Sequence, residues 1–282
     1  MRKQNRVRGS RERRSPLVAT ERDRGILLLV GLCGYVATDQ IAREFFPSDD
    51  RARRRIRQLF DAGLLCVTLA SSTQPNLLSL SKEGLRVVAE AFPHVVPEGQ
   101  WEAGNCPMRL PGAIRLAGVA HHLAVVDARL YLAALARAKG GRIVAWEGGA
   151  GALAGELGLR AQRLQPDGIA ELDVGGRQVC VAVEVDMGTE PSQVLAGKLE
   201  RYAATWTMQT GPDQVWLVVC SEERRGQHLH DLVESAGVSD RVLVLGHDQT
   251  VLRPVVAPLA SRAGTHGPKG PNTLSGNMQE DE

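Results

Sequence analysis

The stretch from Gln165 to Asp186 holds two runs of alternating apolar and polar residues joined by Gly175-Gly176, and it constrains the fold more tightly than any other part of the chain. Paired glycines between such runs predict a two-residue hairpin turn, which needs positive φ at both central positions and thereby sets the strand register. With Val174 opposite Arg177, counting back along both strands brings Asp167 opposite Glu184. Side chains alternate along a strand. Leu172, Val179, Val181, Val183 and Val185 therefore share the more apolar face, expected to be core. Asp167, Ile169, Glu171, Asp173, Gln178, Cys180, Ala182, Glu184 and Asp186 share the other.

The open end of that second face is acidic. Opposed Cβ atoms stand ~4.5–5.5 Å apart, so like charges there are unfavourable unless a cation or a proton intervenes. Asp167, Glu184 and Asp186 offer the oxygen ligands that a hard divalent ion such as Mg2+ takes. The same acids can equally stand at a solvated sheet end with no metal. Glu147, closing a strand expected over 142–146, is either a further carboxylate for this end or a solvated loop acid. Thr189 and Glu190 read as ligands or as the first turn of the helix expected over 191–206.

Pro166-Asp167, the hairpin, Glu184-Val185-Asp186 and the helix after them resemble the core of the PD-(D/E)xK nuclease-like superfamily. The resemblance implies a restriction-endonuclease-like mixed sheet with flanking helices, in which a helix precedes a strand meander and a second helix and a further strand follow. It also implies Asp167, Glu184 and Asp186 as catalytic and Mg2+-binding positions. Asp186 stands where the superfamily has lysine. Lys198, on the next helix, is the cation that the resemblance would put in its place, supporting the attacking water or the transition state.

Upstream, the pattern changes. Thr20 suits the cap of a helix carrying Ile26, Leu27, Leu29, Val30 and Cys33 at helical spacing and ending near Gly34. A second helix begins at Thr38 or Asp39 and is broken by Pro47-Ser48. A third, over about 48–62, has Ser48 as its cap, Asp49 and Asp50 in its first turn, Ala52, Ile56, Leu59 and Phe60 as its buried stripe, and Gly63 as its stop. Arg51, Arg54 and Gln58 project from the opposite face, with Arg55 and Arg57 on its flanks. Two short extended runs, 64–69 and 77–80, and a helix over 81–92 complete the order of a winged helix-turn-helix with the arginine-rich helix in the recognition position. Exposed arginines are also ordinary solubilising charge; Gln58 among them, a hairpin after them and a basic arm before them favour DNA.

Composition adds boundaries. The 282 residues include 34 Lys+Arg against 32 Asp+Glu, so any nucleic-acid signal lies in the placement of charge and not in its total. Residues 1–16 form a basic tail expected to be disordered, 17–92 the winged helix-turn-helix, 93–112 a Pro- and Gly-rich linker, 113–250 the nuclease-like domain and 251–282 a polar disordered tail. The second domain opens on a long helix, 113–139, with Leu116, Val119, Leu123, Val126, Leu130 and Leu135 as core candidates. It carries His121-His122, whose side chains diverge by about 100°, so that one at most reaches the acidic end; otherwise they are structural. The 5 cysteines are odd in number and widely spaced, which argues against a disulfide framework and a thiolate metal site and fits a reducing cytoplasm. The longest uncharged stretch, 25–38, is too short to span a bilayer. No phosphate-cradling Gly-x-x-x-x-Gly-Lys loop and no His-Glu-x-x-His is present, which sets aside ATPase and zinc-protease chemistry.

The N-terminal helical unit, His121-His122-Leu-Ala-Val, Pro166-Asp167, and Glu184-Val185-Asp186-Met-Gly-Thr189-Glu190 ahead of Lys198 and Tyr202 together resemble the replication-relaxation family over about 17–245. The resemblance implies a cytoplasmic, DNA-associated role in the replication or relaxation of bacterial plasmids and mobile elements, with double-stranded DNA, a second copy of the chain and replication or mobilisation proteins as partners. Two functions follow. One is a Mg2+-dependent endonuclease or nickase joined to a DNA-binding unit. The other is a non-catalytic regulator or adaptor that keeps the same fold as a scaffold.

Overall fold

The computed structural model describes residues 17–68, 76–95, 118–148, 151–188, 190–207 and 213–251. The expected tail 1–16, all of the expected tail 251–282 but Val251, most of the linker, the tip of the first hairpin, Leu116 and Thr189 lie outside them. The protein is mixed α+β.

Its N-terminal part is built from α1 (Glu21–Cys33), β1 (Val36–Ala37), α2 (Thr38–Phe45), α3 (Asp49–Asp61), β2 (Leu65–Thr68), β3 (Leu77–Leu80) and α4 (Lys82–Ala91). Thr20 and Asp23 begin α1 with a reciprocal cap: Thr20 Oγ1 accepts from the Asp23 N–H at 3.3 Å and Asp23 Oδ2 accepts from the Thr20 N–H at 2.7 Å. Gly34, at φ 82°, ends it. Ser48 sits at the N-cap of α3 but its side chain makes no capping bond. The strands form an antiparallel sheet in the order β1-β3-β2, so β1, although two residues long, closes one edge. The apolar stripes of α1, α3 and α4 meet over this sheet around Ile26, Leu27, Ile56, Leu59, Leu78 and Leu85. Phe60 departs from its expected place in the stripe: it is 40% exposed, with the Arg57 guanidinium 5.9 Å from its ring.

Gly84 shows how tightly α4 is seated. A Cβ there would come within 2.1 Å of the Leu64 carbonyl oxygen. Gly84→Ala is therefore expected to lower stability by about 1–3 kcal/mol in urea unfolding, because backbone rather than a mobile side chain must give way.

The C-terminal part comprises α5 (Val119–Ala138), β4 (Arg142–Glu147), α6 (Ala152–Glu156), β5 (Gly168–Val174), β6 (Arg177–Asp186), α7 (Ser192–Thr207), β7 (Asp213–Cys220), α8 (Glu223–Ser235), β8 (Val242–Gly246) and α9 (His247–Val251). The short helices α6 and α9 have no counterpart in the sequence expectations. Five strands form one mixed sheet, β4-β5-β6-β7-β8; β4, β5 and β6 are an antiparallel meander, and β6, β7 and β8 run parallel, joined by α7 and α8. Gly175 and Gly176 have φ of 61° and 80°, and the ladder runs without a slip from Val174↔Arg177 to Gly168↔Val183.

Both faces of this sheet are covered, so the second face, expected to be the less apolar one, is core as well. Val181, Val183 and Val185 pack with Leu172, Leu217 and Val219 against α5. On the other side Ile169, Cys180, Ala182, Trp216 and Val218 pack against Leu195, Leu199 and Tyr202 of α7 and Leu229 and Val233 of α8. The reversed faces of a central strand in such a sheet are both apolar except at its end.

α5 serves two cores. Ala124, Ala128, Tyr131, Leu132 and Leu135 face the large sheet, while Val126 and Leu130 enter the N-terminal core and Val119 and Leu123 lie against Ala37, Tyr35 and Leu77. Most of the positions expected to face the second domain thus face the first. By length and composition α5 could also cross a bilayer, but over half of that span is buried within the protein.

Candidate functional site

The acidic end of the sheet is assembled from β5, β6, α5, α7 and α8. Trp146 lies against the backbone of Gly168, where a Cβ would come within 2.5 Å of its ring, and this close approach seats the start of β5. Asp167 stands just before the strand. The ladder ends at Gly168↔Val183, so Asp167 is not paired with Glu184 as the register count expects: its N–H donates to the Val183 carbonyl at 2.8 Å, and its side chain turns along the strand end, where Oδ2 accepts from the Val185 N–H at 2.8 Å and meets His121 Nε2 at 3.2 Å. The bond to Asp167 holds the His121 imidazole above its usual pKa. Its neighbour His122 points elsewhere, bonding the Tyr35 carbonyl at 2.9 Å and stacking on the Tyr35 ring. One histidine of the pair reaches the acids, and the other ties α5 to the N-terminal part.

Glu184 and Asp186 point to the α7–α8 side and are both buried. Lys198 Nζ donates to Glu184 Oε1 and to both oxygens of Glu190, at 2.9 and 3.1 Å. Burial pushes the Glu184 carboxyl up to about 7; Lys198 pulls it back, and Asp167 and Glu190 add to the rise. Burial also works against the Lys198 ammonium, but its bonds to Glu184 and Glu190 prevail and raise its pKa. Asp186 Oδ1 accepts from the Gly188 N–H at 3.0 Å, and its Oδ2 accepts from Arg225 Nε. Arg225 also donates to the Glu190 carbonyl, so α8 is pinned to the segment that leads into α7. Beside Lys198, Tyr202 stacks on Trp216 at 4.6 Å, and burial raises its phenol well above the usual pKa.

Each expected site acid is therefore bonded to its own protein partner: His121 for Asp167, Lys198 for Glu184 and Arg225 for Asp186. Among the described residues no three His, Cys, Asp or Glu side chains converge closely enough to hold a metal ion. The arrangement does not fit Mg2+ held jointly by Asp167, Glu184 and Asp186. Lys198 is drawn into an ion pair and is not left facing a substrate. Glu147 is turned away: its Oε2 accepts from the Leu153 N–H at 2.9 Å at the start of α6.

The second candidate surface is α3. Arg51, Arg54, Arg57 and Gln58 are exposed, as the helical projection predicts. Their roles differ. Arg55 reaches back to α1, where its Nε donates to Asp23 Oδ1 at 2.8 Å and its Nη1 to Gln58 Oε1 at 2.8 Å. Burial alone would raise the Asp23 carboxyl, but bonds from Arg55 and Thr20 outweigh it and hold the group below the usual carboxylate range. Arg57 pairs with Asp61 at 3.0 Å. Arg51 and Arg54 have no acid partner among the described residues.

The model of the family described as Replication-relaxation matches residues 29–215. This chain belongs to that family. No curated protein and no solved structure matches it. The matched region of this replication-relaxation protein takes in α3, His121, Asp167, Glu184, Asp186 and Lys198, whereas Arg225, the counter-ion of Asp186, lies beyond it. Membership points to a role connected with replication.

A further buried acid in the replication-relaxation protein escaped the sequence reading. Asp127, on α5, accepts from Gln40 Nε2 at 2.9 Å and Arg43 Nη2 at 2.6 Å and meets His247 Nε2 at 3.3 Å. Burial works against its charge, but His247, Gln40 and Arg43 around it prevail and lower its pKa. Gln40 also donates to the Leu123 carbonyl at 2.8 Å and accepts from the Ala37 N–H at 3.1 Å. This knot ties α2, on which α3 packs, to α5. The one available signal was an aspartate interrupting the apolar run 123–132.

Proposed function

We propose that this replication-relaxation protein binds double-stranded DNA in the cytoplasm during plasmid or mobile-element replication and acts as a non-catalytic regulator or adaptor. Residues 17–92 serve as a winged helix-turn-helix with α3 as the recognition helix, and 113–250 serve as a PD-(D/E)xK-like scaffold. The observation that carries the DNA reading is the selective freedom of Arg51 and Arg54, which face outward while Arg53, Arg55 and Arg57 of the same helix meet Asp50, Asp23 and Asp61. The non-catalytic reading is supported by the partners that the three acids already have at the sheet end: His121, Lys198 and Arg225. Lys198 and Arg225 are largely buried, and turning Glu184 or Asp186 to a metal would weaken the pairing of a buried cation.

Each phosphate contact contributes about 0.9 to the slope of log K against log salt, so Arg51→Ala with Arg54→Ala should flatten the slope by about two and weaken duplex binding roughly 30-fold at 0.15 M salt. The measurement is fluorescence anisotropy across a salt series. An unchanged slope would move DNA to another surface.

A Mg2+-dependent nickase is the second reading, favoured by the meeting of Asp167, Glu184 and Lys198 at one strand end. Supercoiled plasmid incubated with the protein and Mg2+ or Mn2+ should stay intact. Open circles that disappear with Glu184→Gln would replace the regulator with the nickase.

A further inference from the structure

Eight arginines stand on α1, α2 and α3. Five of them meet acids: Arg24 with Glu21, Arg43 with Asp127, Arg53 with Asp50, Arg55 with Asp23 and Arg57 with Asp61. The three that meet none among the described residues are Arg22, Arg51 and Arg54, and all three line one open cleft of about 650 Å3 between the start of α1 and the outer face of α3. The cleft has two acids, each with an arginine partner. Asp23 is buried against Arg55, and Glu21, exposed, pairs with Arg24 at 3.0 Å, so the lining carries the four guanidinium groups of Arg22, Arg51, Arg54 and Arg55 against these two acids. Phe46 lies in the wall, nearly buried, with the Arg22 guanidinium 5.1 Å from its ring centroid. A ring face beneath the guanidinium favours a defined position for it and leaves its N–H edges free to donate.

We propose that this cleft is a phosphodiester-binding site in which Arg22 of α1 acts together with Arg51 and Arg54 of α3 on the DNA backbone. Unmatched guanidinium groups on two elements, converging on a concave surface, suit an anion with several acceptor oxygens. The inference rests on the DNA-binding reading and extends it from one helix to two. With Arg22 engaged, α1 fixes the position of α3 on the duplex. Its contribution is to affinity and register and not to the choice of sequence, because phosphates carry no base information.

The test uses the full chain, a short duplex of arbitrary sequence and the single variant Arg22→Ala, with Arg142→Ala on the distant edge strand β4 as an exposed-arginine control. Arg22 is exposed, so thermal stability should not change. The expected result is a salt slope flatter by about one and binding about fivefold weaker at 0.15 M salt, equally for different sequences, with Arg22→Lys restoring the slope and Arg142→Ala changing neither. If Arg51→Ala with Arg54→Ala weakens binding while Arg22→Ala matches wild type, the cleft is not the phosphate site and the α3 reading survives. If none of these variants alters binding, the duplex lies on another surface and the α3 reading and the cleft fail together. In a parallel arm, inorganic phosphate is titrated against thermal stability. Saturable stabilisation of wild type but not of Arg22→Ala, alongside unchanged duplex affinity, would make the cleft a free-anion site and overturn the proposal.

Discussion

Arg225→Ala is expected to destabilise the protein by about 3–5 kcal/mol, read as a lower urea midpoint at unchanged slope. The Asp186 side chain is 1% exposed and the Arg225 side chain 13%, so the pair is withdrawn from water. Removing the guanidinium leaves a buried carboxylate whose remaining described bond is from the Gly188 N–H, and the full desolvation penalty of the charge then falls on the folded state. It also frees the Glu190 carbonyl and unpins α8 from the segment before α7. Replacing both partners by apolar residues of similar size, Asp186→Leu with Arg225→Met, should recover most of the loss, since neither group is then left alone. A loss under about 1 kcal/mol for Arg225→Ala would mean that the pair behaves like an exposed one. It would also return Asp186 to consideration as a metal ligand.

The second large effect is on pH dependence. The Glu184 carboxyl is raised to about 7 in the folded protein, and its side chain is 10% exposed. A raised folded value means that the native state keeps a proton that the unfolded chain has released. Its contribution is therefore fully present below about 4.5 and is lost as pH rises through about 7, amounting to about 3 kcal/mol across that window. Glu184→Gln cannot titrate. Subtracting its urea stability from that of wild type at each pH should give a difference that falls over this window and is flat on either side. The contributions of Asp23 and Asp127, whose lowered values favour the native state at higher pH, are common to both proteins and cancel in the subtraction. A pH-independent difference would show that Glu184 is ionised throughout, and Lys198 would then be neutralising a permanent charge.

Short-range features were legible without coordinates. Two adjacent glycines specify a turn, the turn specifies a register, and the ladder from Val174↔Arg177 to Gly168↔Val183 follows residue by residue. Thr20 with Asp23 marks the start of α1, and helical periodicity places Arg51, Arg54 and Gln58 outward on α3. The 100° step between consecutive helical residues sends His121 and His122 to different partners.

What the sequence could not settle was which charge meets which. Arg55 and Asp23 are 32 residues apart, Arg225 and Asp186 are 39, and Gln40 and Asp127 are 87. No local period encodes such pairs, because any of the many arginines is chemically able to neutralise any of the acids, and the packing of helices on the sheet decides which ones arrive together. The same holds for α5, whose apolar residues surround more of the helix than one face needs; only the presence of a core on each side assigns Val126 and Leu130 to one and Leu132 and Leu135 to the other. The chain by itself thus determined its turns, caps, strand register and outward arginines, all properties of a few neighbouring residues. Tertiary structure alone decided that the acids of the sheet end have protein partners of their own and that Arg22, Arg51 and Arg54 meet no acid among the described residues, since Coulombic partners are selected by distance in space and not along the chain.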